Sequence, residues 1–194
     1  MRDTGVKKCI DFIREAGALK RVRRSGWWVL GINDPETVAE HSFRCAVIGY
    51  ILARMENVAP YKVVLMTLFN DIHEARLNDL HKMSQRYINL ENAENEAFAE
   101  QINPLPKSIR NELSKMYAEY KKQGSPESLI ARDADILECL IQAKEYCEYG
   151  FEKARKFMKK APEKLITKSA KKLWAMACKK SAYDWWEKLS EFKR

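Results

Sequence analysis

The feature that most constrains the fold is a three- and four-residue spacing of apolar side chains along most of the chain. The clearest case follows Asp34-Pro35-Glu36, where the spaced residues are Val38, His41, Cys45, Ile48, Leu52 and Met55. Such spacing puts side chains on one face of an α-helix, and Asp, Pro and Glu favour a helix start. We therefore predict an amphipathic helix over about 35–55, with Asp34 as its N-cap.

Other segments repeat this spacing, and none alternates convincingly with the period of two that is typical of a strand. A second helix, from about Pro60, has a stripe that consists of Val64, Leu68, Asp71 and Ala75. A third helix begins after Gly124-Ser125-Pro126, and its stripe consists of Ile130, Ala134, Leu137 and Ile141. Further helices are predicted at about 5–20, 89–102, 106–122 and 163–192. The predicted fold class is all-α.

Length and composition indicate one globular unit. The chain has 194 residues, of which 46% are hydrophobic and 32% charged, and this balance is typical of a folded domain. Seven glycines and six prolines fall mostly where helices should begin or end, and no linker or repeat is evident. We expect residues 1–194 to form a single domain.

A membrane protein and a disulfide-bonded protein are not expected. The longest apolar run, Cys45 to Ala53, has nine residues, whereas a membrane span needs about 20. The first residues lack the apolar core of a secretory signal, so a cytoplasmic location is predicted. Five cysteines with no Cys-x-x-Cys pair argue against a disulfide framework and against a thiolate zinc site, and they are interpreted as small core or surface residues.

The positive charge of the chain is concentrated near its C-terminus. Residues 151–194 hold 14 Lys+Arg against 5 Asp+Glu, out of 35 and 27 in the whole chain. Such a tail could attract nucleic acid or an anionic membrane. Apolar residues lie between its lysines, however, namely Leu165, Leu173, Trp174, Ala177, Trp185 and Trp186. We favour a helical region with a solvated basic face over a packed apolar face.

Three ionisable residues fall on or beside the stripes that should be buried, one on each of three helices: His41, Asp71 and Asp135. Burial of a carboxylate is costly unless a cation or several donors compensate. Convergence on one divalent metal would compensate, because imidazole and carboxylate are suitable ligands for transition metals. Each residue also has a structural explanation: a hydrogen-bonded core histidine, an ion pair of Asp71 with an arginine, and an ion pair of Asp135 with Arg132.

The residues around these three positions carry a family resemblance. Val-Ala-Glu-His-Ser-Phe-Arg (38–44), Asn-Asp-Ile-His-Glu-Ala (70–75) and Asp-Ala-Asp-Ile-Leu-Glu (133–138) occur in this order. Together they resemble the HD-domain metal-dependent phosphohydrolases, in particular the small 5'-deoxynucleotidase-like group. The resemblance runs over about 19–149, and its most specific parts lie at 26–27 and 35–41. It implies an HD-type helical bundle with the metal site between core helices, a nucleoside 5'-monophosphate substrate and a homodimer.

The resemblance also implies a ligand set for one divalent metal ion, which could be Mn, Co, Ni, Fe or Zn. The matching positions are His41, Asn70, Asp71 and Asp135. Asp133 should project from a different helix face and is expected to be an exposed or structural acid.

Asn70 departs from the family, which has a histidine at this position. An amide oxygen is a weak neutral ligand, so metal affinity should fall. The residue is either a natural divergence, with a harder metal or lost turnover, or a replacement that keeps the shape of the site. His73 and His81 are nearby residues that could replace the missing histidine. His73 is two positions from Asp71 and should point away from it, so it is not assigned as a ligand.

Further roles follow from the resemblance. Glu74 would orient or deprotonate a water molecule, and Asp79 matches an acid near the substrate, although it could equally cap a helix or lie in a surface turn. Trp27 would pack near the nucleotide, and Arg23 or Arg24 would hold its phosphate. The competing explanation for the two arginines is a solvated basic loop.

The predicted activity is metal-dependent removal of the 5'-phosphate from (deoxy)nucleoside monophosphates, without a stated base, sugar or metal. The alternatives are a nucleotide-binding or sensing protein with a degenerate HD site, which Asn70 favours, and another HD phosphodiesterase or (p)ppGpp hydrolase. A nucleic-acid or partner-binding module centred on the basic tail is a third alternative. We expect no membrane partner and no specific nucleic-acid partner.

Overall fold

The structure is a computed structural model that describes residues 3–187 and residue 189. The described residues form helices and turns and contain no strand, apart from an isolated bridge between Arg23 and Thr37. The α-helices are α1 (Asp3–Ala16), α2 (Ser25–Trp28), α3 (Val38–Met55), α4 (Pro60–Phe69), α5 (Glu74–Leu77), α6 (Leu90–Ile102), α7 (Lys107–Lys122), α8 (Pro126–Glu148), α9 (Phe157–Lys160), α10 (Lys168–Ala177) and α11 (Asp184–Glu187). Short 3-10 helices lie at Gly17–Lys20, Ser84–Arg86, Glu152–Lys156 and Ala161–Lys164. The all-α prediction is confirmed.

The centre of the bundle is the packing of α3, α4 and α8 on one another. The 23-residue α8 runs through the middle, and the core around it includes Leu52, Val63, Leu137 and Leu140, each at most 1% exposed. Burial of such aliphatic side chains supplies about 1.5–3 kcal/mol each toward folding. Because these helices are long and buried, they hold any inward-facing functional side chain in a fixed position.

Helix α3 begins later than the sequence suggested. Its N-cap is Thr37, which forms a reciprocal capping box with Glu40: the Thr37 amide donates to the Glu40 carboxylate at 2.6 Å, and the Glu40 amide donates to Thr37 Oγ1 at 3.2 Å. Asp34, the predicted N-cap, instead pairs with Arg23 at 2.6 Å and is exposed. The prediction for Asp34 was wrong because a capping box satisfies two backbone donors at once.

Helix α4 is shorter than predicted and buries a different face. It ends at Phe69, so Asp71 and Ala75 lie beyond it. The residues on its buried face are Val63, Met66 and Thr67, whereas Leu68 of the predicted stripe is 39% exposed. The reason lies in α3: a Cβ on Gly49 would lie 3.0 Å from Val63 and 3.3 Å from Thr67. The glycine lets the two helices approach along this face.

The predicted helix over 163–192 is broken. The described part consists of the 3-10 turn Ala161–Lys164, an extended step, α10 and the short α11; residues 188 and 190–192 of the prediction lie outside the described residues. The break is fixed by Asp133 of α8, which is fully buried. Its carboxylate accepts from the Ile166 amide at 2.9 Å, the Thr167 amide at 2.7 Å and Thr167 Oγ1 at 2.6 Å. Of the two alternatives for Asp133, an exposed or a structural acid, the structure shows the structural one.

The tail has the expected apolar face only in part. Leu165 is 2% exposed, and Leu173 and Trp174 pack against the main core. Trp185 and Trp186, in contrast, are 75% and 40% exposed, because α11 has only four residues and does not continue the α10 face. Among the described residues, none of the helices has both the length and the apolar character that a membrane span requires.

We expect Asp133→Ala to lower the free energy of unfolding by about 2–4 kcal/mol, because hydrogen bonds to a charged group are worth about 1.5–3 kcal/mol each and two amides and a hydroxyl would lose their acceptor. Urea unfolding followed by circular dichroism measures the change. Asp34→Ala is the matched control, and it should change stability by less than about 1 kcal/mol because its ion pair is exposed. Equal effects of the two substitutions would contradict the role of Asp133.

Candidate active site

The candidate site lies where α3, α8 and the turn after α4 meet. His41, in the first turn of α3, is 1% exposed, and Asp135 faces it from α8. Asp71 lies in the turn that follows Phe69. In this turn the Glu74 amide donates to the Asp71 carbonyl at 3.0 Å, a three-residue step that tightens the chain relative to an α-helix. The turn brings Asp71 toward the imidazole of His41.

Asp71 and Asp135, two of the predicted ligands, both lie near one ring nitrogen of the third, His41. His41 Nε2 lies 3.2 Å from Asp135 Oδ1 and 3.6 Å from Asp71 Oδ2. Two cations also contact the acids: Arg132 pairs with Asp135 at 2.9 Å, and Arg24 lies 3.7 Å from Asp71. The ion pairs that the sequence offered as an alternative explanation thus exist beside the cluster of His41 and the two acids.

The other nitrogen of His41 is held by a residue that the sequence reasoning did not assign. His41 Nδ1 lies 2.5 Å from Glu138 Oε2, and Glu138 is fully buried. Arg44 pairs with the same carboxylate at 2.7 Å and with Glu145 at 2.7 Å. A carboxylate on one ring nitrogen fixes the tautomer of a histidine and turns the other nitrogen toward a metal. Glu138 follows Asp135 by three residues, and this helical spacing was the signal that could have found it.

Asn70 is adjacent to the acids but bonded to one of them. Its side-chain Nδ2 donates to Asp71 Oδ1 at 2.7 Å, and the residue is the C-cap of α4. Since Asp71 Oδ2 faces His41, the amide holds the far oxygen of the same carboxylate. The structure therefore places Asn70 beside the cluster as a support of Asp71.

Neither substitute histidine joins the cluster. His73 is 5% exposed and packs edge-on against the Tyr117 ring at 6.4 Å. His81 stacks on Trp28 at 6.2 Å and interacts with Ser84. Both line the cavity next to the cluster.

The two candidate arginines occupy different surroundings. Arg24 lines the cavity and donates to Cys139 Sγ at 3.1 Å. Arg23 pairs with Asp34 and donates to the Pro35 carbonyl at 2.8 Å, so among the described residues it belongs to the surface at the start of α3. Of the pair that the sequence left open, only Arg24 lies at the cavity.

Trp27 forms part of the cavity wall from a fixed position. It is 2% exposed, and its Nε1 donates to Glu36 at 2.8 Å. Its ring packs against Phe157 at 4.6 Å and against Tyr146 at 5.2 Å. A ring held on several sides gives a rigid surface, which suits a flat ligand.

Glu74 and Asp79 both line the cavity. Glu74 Oε2 is buried and has no hydrogen-bond partner among the described residues. Asp79 Oδ2 accepts from the Ser25 amide at 2.7 Å, so it holds the first residue of α2. Asp79 therefore contacts the backbone of α2 as well as lining the cavity.

The cavity has a volume of about 580 Å³ and combines acids with cations. Its floor carries Asp71 and Asp135. The cations around it are Arg24, Lys82, Lys121, Arg132 and Lys164. A concave site of this size fits a small molecule, and this charge pattern suits a ligand with an anionic group beside a metal ion. Lys82, Lys121 and Lys164 are residues that the sequence analysis missed, because they lie on segments far apart in the chain.

The surroundings shift the pKa values of Glu74 and Asp135 in opposite directions. Burial, together with the charges of Asp71 and Asp79, raises the pKa of Glu74 well above its usual value. Burial also raises the pKa of Asp135, but the hydrogen bond and charge of His41 outweigh it, so the pKa of Asp135 falls to about 2. A carboxylate that stays charged, such as Asp135, suits a metal ligand. A carboxyl group with a high proton affinity, such as Glu74, suits a proton acceptor.

Comparison with known proteins identifies the family. The model of the HD domain family matches residues 16–174 of this chain, which is most of its length and includes every site residue named above. The chain belongs to the HD domain family.

Particular relatives lie within this family. The chain is 29% identical to the 5'-deoxynucleotidase HDDC2 of Homo sapiens, over 73% of this chain and 70% of the relative. It is 30% identical to the enzyme of the same name from Mus musculus, over 71% and 69%. Among solved structures, a conserved hypothetical protein from Pyrococcus furiosus is similar with a TM-score of 0.76 and 30% identity, covering 88% of this chain and 99% of that chain.

We predict that Glu138→Gln lowers the affinity for Mn²⁺ or Co²⁺ by about 10–100-fold, because loss of an outer-shell carboxylate on a ligating histidine has this effect. Isothermal titration of the metal-free protein measures it. Glu145→Gln is the matched control, since Glu145 contacts Arg44 but not His41. If both variants bind the metal like the parent protein, Glu138 does not orient His41.

Proposed function

We propose that this protein is a divalent-metal-dependent phosphohydrolase that removes the 5'-phosphate from (deoxy)nucleoside monophosphates. The observation that carries the proposal is a cavity whose lining combines lysines and arginines with Asp71 and Asp135, the two acids next to the buried imidazole of His41. Membership of the HD domain family and the names of the similar 5'-deoxynucleotidases support the same reaction.

The donor set fits a divalent metal ion. His41 offers an imidazole nitrogen, and Asp71 and Asp135 offer carboxylate oxygens, a combination that suits Mn, Co, Ni, Fe or Zn. We propose that these three residues hold the ion and that Asn70, at the fourth family position, supports Asp71. A bound ion supplies a Lewis acid that makes a water molecule more acidic and offsets charge at phosphorus.

Arg24 and the cavity lysines are proposed to hold the substrate phosphate. Arg24 has the most defined position, because its guanidinium lies between Cys139 and Asp71. Burial lowers the pKa of this guanidinium, but its surroundings, which include the carboxylates of Asp71 and Asp79, raise it well above its usual value. It therefore stays charged at every working pH. Trp27, fixed in the wall, is proposed to contact the nucleotide next to the phosphate.

Glu74 is proposed to accept a proton from the attacking water. Glu74 lines the cavity, and one of its oxygens is buried without a hydrogen-bond partner among the described residues. Its raised pKa suits a proton acceptor. In the reaction, the water oxygen forms a bond to phosphorus while the bond from phosphorus to the 5'-oxygen breaks. The proton from water passes to Glu74, and the 5'-oxygen leaves and is protonated from solvent. Asp79, through its bond to Ser25, is proposed to hold α2 and Trp27 at the substrate.

The proposal also covers the domain organisation, the oligomeric state and the location of the protein. We propose that residues 1–194 form one domain, because the tail segments contribute Phe157 and Lys164 to the cavity. A homodimer is supported by an exposed apolar stripe on α3, which consists of Phe43, Val47, Tyr50 and Ile51. A cytoplasmic location is supported by the five unpaired cysteines.

Phosphate release from deoxynucleoside 5'-monophosphates tests the function. We expect turnover in the presence of Mn²⁺ or Co²⁺, loss of turnover after treatment with EDTA, and recovery when metal is restored. The corresponding 3'-monophosphates are the control substrates.

Arg24→Ala should raise KM by about 10–100-fold, because a charge-assisted hydrogen bond is worth about 1.5–3 kcal/mol, whereas Arg23→Ala should leave KM unchanged. Tight nucleotide binding without turnover under any metal would contradict the proposal and favour a sensing protein.

Asn70→His restores the family residue, and we expect it to strengthen the site. The new imidazole should raise the affinity for Mn, Co or Ni and the rate of 5'-monophosphate hydrolysis by about 10–100-fold. The variant keeps a polar side chain of similar reach, so the fold should persist. Metal titration and phosphate release, on both proteins side by side, measure the gain, and Glu74→Ala in the same background should abolish turnover. Equal metal affinity and rate would place residue 70 outside the coordination sphere.

A further inference from the structure

Trp28 and His81 form an aromatic pair beside the cavity. Their ring centroids lie 6.2 Å apart and their ring planes differ by 13°, which is an offset-stacked arrangement. His81 lines the cavity, whereas Trp28 does not. Trp28 is 61% exposed, so its ring contributes little to the core. Neither ring belongs to the metal cluster or to the phosphate contacts proposed above.

The two rings belong to segments that are joined at a second point. The Ser25 amide at the start of α2 donates to Asp79 Oδ2 at 2.7 Å, and Trp28 ends the same helix. On the other segment, the Ser84 amide donates to His81 Nδ1 at 3.3 Å, which orients the imidazole relative to the turn that follows it. The surrounding backbone therefore holds the aromatic pair in place.

The proposed substrate has a base for which no contact has been assigned so far. Its phosphate is assigned to Arg24 and the cavity lysines, and Trp27 is assigned to the part next to the phosphate. The cavity of about 580 Å³ is large enough for a whole nucleotide, and His81 is part of its lining. A nucleobase presents two flat faces, and aromatic side chains bind such faces by stacking.

We propose that His81 stacks on the nucleobase of the substrate and that Trp28, packed on the imidazole, holds it in position for this contact. The inference rests on the proposed function in taking a nucleoside 5'-monophosphate as the ligand. Every base has a flat face, so a stack of this kind accepts all of them. The pair therefore separates nucleotides from sugar phosphates that lack a base, but it does not separate one base from another.

A purely structural contact between α2 and the segment 79–84 is the competing explanation. Loss of such a contact would disturb Asp79 and the cavity wall, so it would weaken the binding of every substrate that enters the cavity. Loss of a base contact weakens only the binding of substrates that carry a base. The compound 2-deoxyribose 5-phosphate has the sugar and phosphate of the nucleotide without the base, so it distinguishes the two explanations.

Phosphate release from deoxyadenosine 5'-monophosphate in the presence of Mn²⁺ tests the proposal, with 2-deoxyribose 5-phosphate measured as a second substrate or as a competitive inhibitor. We expect His81→Ala to raise KM for the nucleotide by about 5–100-fold, the effect of losing a base–aromatic stack. Trp28→Ala should raise it by about 2–10-fold, the effect of losing an aromatic pair. The value of kcat should stay unchanged, because the stack is the same in the ground state and the transition state. Neither variant should change the affinity for the sugar phosphate.

Two further variants serve as controls. His81→Phe keeps a ring at this position, so it should keep KM for the nucleotide within about threefold of the parent value. Trp185→Ala removes another tryptophan, which is 75% exposed in α11, and it should change neither KM.

Isothermal titration with deoxyadenosine 5'-monophosphate, on the same proteins with and without Mn²⁺, measures the base contact independently of turnover. An unchanged KM in His81→Ala and Trp28→Ala, or an equal loss of affinity for both ligands, overturns the base contact and leaves the hydrolase intact. Weaker nucleotide binding in these variants of a protein that does not hydrolyse the nucleotide supports the base contact and contradicts the proposed function. A parent protein that neither binds nor hydrolyses the nucleotide contradicts both.

Discussion

The hydrogen bond between His41 and Glu138 is the interaction on which the rest of the site depends. It joins the first turn of α3 to the middle of α8, and both partners are buried. A buried carboxylate is stable only with partners, and here the imidazole and Arg44 provide them. Because one ring nitrogen is committed to Glu138, the other must face the two aspartates. One contact thus sets the register between the two central helices. It also sets the direction of the ring nitrogen that is proposed to bind the metal.

The same principle extends outward as alternating charge. Asp71 and Asp135 each contact an arginine, Arg24 and Arg132, and Lys82, Lys121 and Lys164 also line the cavity. The two arginines reduce the repulsion between acids that share a small buried volume. The cavity therefore offers cations beside its acids, which suits an anionic ligand next to a metal ion. The basic excess of the tail has a local use here, since Lys164 lies on the cavity wall.

The sequence predicted the helices, the family and the neighbourhood of the site, because helical spacing and ordered motifs depend on local residue order. It placed His41, Asp71 and Asp135 in separate segments, and the structure brings them around one nitrogen. It did not predict contacts that depend on which face of a helix meets its neighbour. The burial of Val63 depends on a glycine in another helix, and the break before α10 depends on Asp133, 33 residues upstream. Such interactions across the bundle leave no periodic signal in the chain.

The hydrogen bonds between Asp133 and residues 166–167 restrict which parts of the sequence can vary. Asp133 and Asp135 are two residues apart on α8, so they point in different directions, one toward the tail and one toward the cavity. One short stretch of helix therefore serves both the attachment of the tail and the chemistry of the site. Substitutions around Thr167 would also affect the cavity wall, because the nearby Lys164 is part of that wall. Natural variation should consequently be tolerated in α11, which lies beyond this attachment, more readily than at the step that precedes α10.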